Sequence, residues 1–178
     1  MKYRHSLFIA FLCFLLLTAG CNKAKENPVP VRLGLVNDYA SVFSPEETDA
    51  MAADLAAYEK ETCHQIIVLT VPSLSGESIA SFSSRTANDW DIGQEMLDNG
   101  ILLTLAMEEK SVRIEAGTGL EFIAKDEVGK QILDEEILPS FRQGRMTEGV
   151  NKGISAIKKA ARLVSYPDNH RPSICLGQ

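Results

Sequence analysis

The chain has 178 residues, which is enough for one ordinary domain that buries a core without metal or disulfide staples. It carries 24 acidic and 18 basic residues, for a formal net charge of −6. Such an acidic chain disfavours nucleic-acid binding, because phosphate backbones are bound by clustered lysine and arginine side chains.

Residues 1–20 have the composition of an export signal. Two basic residues precede an apolar stretch, Leu7–Leu17, which is too short to span a bilayer comfortably. The segment Leu17–Cys21, with small residues at 19 and 20, resembles the lipobox of bacterial lipoproteins. That resemblance implies cleavage before Cys21 and lipidation of its thiol. An ordinary signal peptide and an uncleaved anchor are the alternatives.

Residues 21–32 are rich in Lys, Glu, Asn and Pro and poor in apolar side chains, which predicts a flexible tether. The domain is predicted over 33–164, and the proline-containing tail, 165–178, is expected to be mobile. Without the leader the formal charge becomes −8. Two or three acyl chains anchor a protein almost permanently, so we expect the domain to stay at a membrane of the bacterial envelope. Because the leader directs export, the domain is expected to face the periplasm or cell exterior.

The first helix of the domain has a clear amino-terminal signal. Ser44 can cap it, Pro45 occupies the favoured first position, and Glu47 completes a capping box. Apolar residues at helical spacing then predict a helix to about Thr62.

Two apolar runs predict strands that are buried on both faces. Gln65–Val71 is β-branched and apolar, and Ile101–Met107 repeats this character. The residues between them, 79–90, have helical spacing. The three segments together predict a βαβ unit with parallel strands.

The rest of the domain predicts one more strand and then helices. In Ser111–Ala116 apolar and charged side chains alternate, which indicates a strand antiparallel to its predecessor and exposed on one face. Helical patterns follow up to Pro139, again over 139–142, and in a closing helix over 150–164. The sequence therefore predicts an α/β fold with a small mixed central sheet flanked by helices.

Five separated motifs in this order resemble the TPM domain family over about 33–161. They are Val36-Asn37-Asp38-Tyr39, Trp90-Asp91-Ile92-Gly93, Asp98-Asn99-Gly100, Arg113-Ile114-Glu115 with Gly117-Thr118-Gly119-Leu120-Glu121, and Phe141-Arg142-Gln143-Gly144. The family includes a thylakoid-lumen phosphatase, a photosystem II repair factor, an acetylcholine-receptor modulator and many exported bacterial proteins. The resemblance implies a small sheet flanked by helices, and in some members calcium binding.

Acidic residues cluster near the predicted edge of the sheet. If the strand at 111–116 is antiparallel to its neighbour, the loops carrying Asp98, Asn99, Glu121 and Asp126 meet at one edge, where oxygen ligands could hold Ca²⁺. Asp38 is expected at the opposite edge unless the 91–100 loop folds back. Turn formation at residues 98–100, a solvated helix position for Glu121, helix capping by Asp126 and an Asx turn at Asp38 are the alternatives.

Two cysteines remain available for a disulfide in an oxidising compartment. Cys63 and Cys175 can pair, although sequence alone does not give the spacing of their Cα atoms. His64 and His170 have no evident Ser or Cys partner for nucleophilic catalysis.

These observations predict a lipid-anchored module that binds or assembles envelope or membrane proteins and takes Ca²⁺ as its only cofactor, if any. A metal-assisted phosphatase of the envelope is the alternative that the resemblance supports. A structural envelope component without a ligand is the third possibility.

Overall fold

A four-stranded mixed sheet forms the centre of the computed structural model, which describes residues 27–94, 96–125 and 127–164. The strands lie in chain order across the sheet. They are β1 (Val36–Asp38), β2 (Gln65–Val71), β3 (Gly100–Ala106) and β4 (Ser111–Ala116). The first three strands are parallel and β4 is antiparallel to β3. The predicted α/β class and mixed sheet are confirmed, and β1 is an additional strand.

The helices lie on both faces of this sheet. They are α1 (Pro45–Thr62), α2 (Ile79–Asp89), α3 (Phe122–Lys125), α4 (Glu127–Gln131), α5 (Leu138–Arg142) and α6 (Met146–Ala161). The capping box predicted for α1 is present: Ser44 Oγ accepts from the Glu47 amide at 3.2 Å, and the Glu47 carboxylate accepts from the Ser44 amide at 2.8 Å.

The sheet separates two apolar cores. On one face α1, α6 and the 120–137 region cover Val68, Leu103 and Ile114, and on the other face α2 covers Ile67 and Leu102. β2 and β3 are therefore buried on both faces, which explains their continuous apolar sequences.

A π-helical segment, Ile132–Ile137, joins α4 to α5 where the sequence predicted a break before Pro139. The Leu138 amide bonds to the carbonyl of Leu133, five residues back. Because proline lacks an amide proton and its ring crowds the carbonyl four residues earlier, a widened turn lets the helix continue.

Residues 27–32, which the sequence assigned to the tether, are held against α2. The Asn27 amide donates to Glu77 at 3.0 Å, and the Trp90 indole donates to the carbonyl of Pro30 at 2.8 Å. Arg32 donates to the Trp90 carbonyl at 3.1 Å. Residues 27–32 are therefore part of the packed body, and Trp90, 8 % exposed, anchors the smaller core.

Within the described residues, no helix combines the length and apolarity that crossing a membrane requires. The predicted signal segment, the lipidated Cys21 and the tail with Cys175 lie outside those residues, so the corresponding predictions stay predictions.

Candidate functional site

The 91–100 loop and the 117–119 turn meet at the edge of the sheet where β3 begins. The Gly117 amide donates to the carbonyl of Gly100 at 2.9 Å, and the Gly119 amide donates to the carbonyl of Asp98 at 3.1 Å. The predicted meeting of these two loops is confirmed.

Glycine permits this backbone contact. A Cβ atom on Gly117 would lie 2.2 Å from the carbonyl oxygen of Asp98, and one on Gly100 would lie 2.2 Å from that of Ile92. No side chain fits at those separations, so both positions require glycine for packing.

Asn99 anchors the loop from inside and is fully buried. Its amide nitrogen donates to the carbonyl of Cys63 at 2.7 Å, and its side-chain oxygen accepts from the Gln94 amide at 3.0 Å. The side-chain oxygen of Asn99, which the sequence predicted as a metal ligand, is therefore used in a hydrogen bond that closes the loop.

A cavity of about 320 Å³ opens between this loop, the end of α2 and β4. Three carboxylates, those of Asp91, Asp98 and Glu115, line it, together with the polar side chains of Ser84, Asn88 and Thr118. Asp91 and Asp98 both have positive φ, 48° and 44°, and are exposed.

Asp91 and Glu115 were missed as site candidates, although sequence signals existed. Asp91 follows Trp90 directly where α2 ends, and the alternation in β4 placed Glu115 on the face opposite the buried Ile114. One Glu115 oxygen pairs with Arg113 at 2.7 Å.

The cavity suits a hard cation in the kind of donor it offers, since its polar atoms are carboxylate, amide and hydroxyl groups. Among the described residues, however, no three Asp, Glu, His or Cys side chains lie close enough to surround one ion. A divalent cation here would be held by one or two carboxylates and would keep much of its water.

The structure does not bring all the predicted ligands together. Glu121 is exposed and pairs with Lys125 at 2.6 Å, and Asp126 lies outside the described residues. Asp98 is the predicted ligand that lines the cavity.

Asp38 lies at the opposite edge, where β1 and β2 end, as the expected direction of α1 required. Its carboxylate accepts from the amides of Val42 and Phe43 at 3.0 and 2.9 Å and from the Thr70 hydroxyl. These bonds run four and five residues ahead, not the two residues of an Asx turn, but they give Asp38 the structural role of that alternative, because they set the entry into α1 and occupy both oxygens.

His64 lies in the core beside Tyr58 and is 1 % exposed. Burial lowers the pKa of its imidazole to about 4. It lines none of the cavities described here, so a catalytic role gains no support. The neighbouring Cys63 is disulfide-bonded, and the other three cysteines lie outside the described residues.

Comparison with known proteins identifies the family. The TPM domain model matches residues 36–160. The solution structure of the N-terminal domain of a P. gingivalis protein is 31 % identical, with a TM-score of 0.65, over 71 % of this chain and 80 % of that one. No curated protein matches the chain.

Two further solution structures share the fold at lower identity. The BA42 protein of the psychrophilic bacterium Bizionia argentinensis is 21 % identical, with a TM-score of 0.62, over 74 % of this chain and 90 % of that one. The N-terminal domain of the cg2496 protein of Corynebacterium glutamicum is 15 % identical, with a TM-score of 0.58, over 83 % and 94 % respectively. With a family model matched over most of its length, this chain belongs to the TPM domain family.

Proposed function

We propose that this chain is a lipid-anchored envelope protein whose TPM domain binds or assembles membrane proteins, and that Ca²⁺ at the 91–100 loop modulates this binding. The lipobox at Leu17–Cys21 supports the anchor. The cavity lined by Asp91, Asp98 and Glu115 carries the calcium part of the proposal.

A cation bound in this cavity would change the surface charge without changing the fold. Asn99 and the backbone bonds of Gly117 and Gly119 fix the loop from behind, while Asp91 and Asp98 remain exposed. A bound divalent cation would neutralise this acidic surface, and a partner that meets the surface would sense the change through electrostatic complementarity.

A phosphatase gains less support from the same cavity. The described lining of the cavity contains neither Lys nor Arg to attract a phosphate ester. It also contains neither His nor Cys beside the hydroxyls of Ser84 and Thr118. Phosphate esters would be repelled by the three carboxylates unless cations were bound there.

The calcium site is tested by titrating the mature chain that carries Cys21→Ser, so that acylation does not interfere. Calcium should shift the amide resonances of Asp91, Asp98 and Thr118, and Asp98→Asn should weaken binding about tenfold or more. Glu121→Gln is the matched control, because it removes one carboxylate outside the cavity. Unchanged resonances in the 91–100 loop would refute the site.

The module is tested in cells by crosslinking and mass spectrometry. A defined membrane partner should be recovered with the wild type, and its yield should change in the Asp98→Asn variant. A mature chain that is unacylated and free in the medium would contradict the anchor, and recovery of no partner would contradict the binding role.

A further inference from the structure

A second cavity, the hairpin cavity, lies at the sheet edge opposite the acidic loop. It has a volume of about 420 Å³ and is enclosed by the β3–β4 hairpin, α5 and the start of α6. Its lining is largely apolar and includes Met107, Phe141 and Met146, with Lys110 and Arg142 among the polar members. A cavity of this size is within the range that binds small ligands.

Among the described residues, none closes the apolar lining completely. Met107, Phe141 and Met146 are only partly buried, although Met107 and Phe141 also pack against the larger core. Methionine side chains are flexible and polarisable, so they adapt to an irregular apolar chain. The cavity therefore fits an apolar guest without a rigid shape.

Two cations accompany this apolar surface. Lys110 and Arg142 are exposed, and neither forms an ion pair with a carboxylate of the described residues. In a chain with a formal net charge of −6, two such cations beside an apolar cavity favour a guest with an anionic end.

The position of the cavity relative to the proposed anchor indicates where that guest comes from. The Asn27 side chain donates to the carbonyl of Ser73 at 3.4 Å, and the Ser73 hydroxyl donates to Glu109 at 3.0 Å. Glu109 directly precedes Lys110 in the hairpin. The first described residue is thus linked to the sheet edge that carries the cavity.

Asn27 is six residues after Cys21, and six extended residues span only about 20 Å. If Cys21 is acylated, as the proposed function requires, this edge of the sheet must stay close to the bilayer. When this edge contacts the bilayer, the acidic cavity, at the other end of the strands, faces away from the membrane.

We propose that the hairpin cavity binds an acyl chain of an anionic membrane phospholipid, with the phosphate at Lys110 and Arg142. Anionic lipids attract nearby Lys and Arg, and the buried methylenes add apolar contact. The domain would then be held by two contacts with the bilayer, and its acidic surface would be oriented toward partners.

The methionine methyl groups provide the test. The mature chain with Cys21→Ser and ¹³C-methyl methionine is titrated with dodecanoyl lysophosphatidylglycerol below its micelle concentration, with the lysophosphatidylcholine of the same chain as the neutral match. We expect the Met107 and Met146 methyls to shift. The methyls of Met51, 3 % exposed in the larger core, and Met96, 94 % exposed in the loop, are internal controls and should not shift.

Charge variants separate the cavity from general attraction to anions. Lys110→Gln with Arg142→Gln should weaken binding of the anionic lipid about tenfold or more, because the phosphate loses both charge-assisted contacts. Lys60→Gln with Lys159→Gln makes the same change of net charge at exposed residues outside the cavity and should leave binding unchanged.

Several results would overturn the proposal. They are unmoved Met107 and Met146 methyls, equal binding of the two lipids, and equal shifts caused by glycerol phosphate, which lacks an acyl chain. Shifts of the same methyls on raising the protein concentration would identify a second copy as the occupant instead, and shifts caused only by an acidic peptide with apolar side chains would identify a protein partner. Because the tested chain carries Cys21→Ser and no attached lipid, the outcome of the lipid titration does not depend on whether Cys21 is acylated in cells.

Discussion

The phenolic oxygen of Tyr58 lies 3.2 Å from Nδ1 of His64 inside the larger core. The Tyr58 hydroxyl also lies 3.2 Å from the carbonyl of Lys158, to which it donates, so its oxygen is available to accept from the neutral imidazole. The bond to Lys158 joins α1 to α6, and the contact with His64 places a titratable ring where water is excluded.

We predict that His64 makes the stability of the domain depend on pH between about 4 and 6.5. The imidazole pKa is lowered to about 4 in the folded chain by burial, so only the unfolded chain is protonated in this window. The unfolding free energy should therefore fall as the pH falls from about 6.5 to about 4, by up to about 3 kcal/mol from this residue.

Urea unfolding of the wild type and of His64→Gln across this range measures the effect. The difference between their unfolding free energies should change with pH in the stated direction, because the carboxylates titrate equally in both proteins. A difference that is constant from pH 4 to pH 7 would show that His64 is not buried as a neutral ring.

Asp38→Ala should destabilise the domain by about 2 kcal/mol, because the amides of Val42 and Phe43 lose their acceptor. Asp38→Ala and Thr70→Val should not be additive, since Thr70 bonds to the same carboxylate. Chemical unfolding of the two single variants and the double variant measures the coupling. Additive effects would contradict the direct bond between Asp38 and Thr70. The calcium titration of Asp38→Ala should be unchanged, because Asp38 lies at the edge opposite the acidic cavity.

Gly117→Ala should destabilise the domain by about 2 kcal/mol or more, because its Cβ would lie 2.2 Å from the carbonyl of Asp98. The displaced loop should also bind calcium more weakly. Gly34→Ala is the matched control, since nothing lies within 4 Å of a Cβ there. Equal thermal stabilities of the two variants would show that the loop and the turn are not in contact.

Glu77→Gln should release the segment that begins at Asn27. Burial opposes the charge of Glu77, but hydrogen bonds from Arg85 and Asn27 hold its carboxyl pKa below the usual value. The loss of the 2.8 Å Arg85 pair should cost about 2–3 kcal/mol and speed hydrogen exchange at the Asn27 amide.

The exposed pair of Glu121 and Lys125 gives the comparison for this prediction. Glu121→Gln should cost less than about 1 kcal/mol, because solvent screens both partners. Slow exchange at Asn27 in the Glu77→Gln variant would mean that the segment is held by other contacts.

Local sequence determined most elements of this fold. The capping box fixed the start of α1, and the apolar runs of β2 and β3 indicated strands buried on both faces, since those residues satisfy both local propensity and burial. The alternation in β4 predicted a strand antiparallel to β3 with one face exposed, and Ile114 is buried on the other face.

Tertiary contacts determined the elements that local pattern did not show. β1 contains Asn37 and Asp38, which are poor strand formers, and it forms because it pairs with β2 and the buried Asn37 bonds to Leu33, Gly34 and Val68. Likewise, residues 27–32 have the composition of a tether, yet Glu77 and Trp90 hold them.

The candidate site also has features that the sequence predicted and features that only tertiary contacts determined. The sequence by itself placed the loops of Asp98 and Glu121 at one edge, because strand direction fixes which loops meet. Only the tertiary structure showed that Asn99 is used inside, that Glu121 pairs with Lys125, and that Asp91 and Glu115 share the cavity with Asp98. The reason is physical: strand direction sets at which end of the strands a loop residue lies, whereas side-chain burial and competing partners decide whether its oxygen atoms remain available.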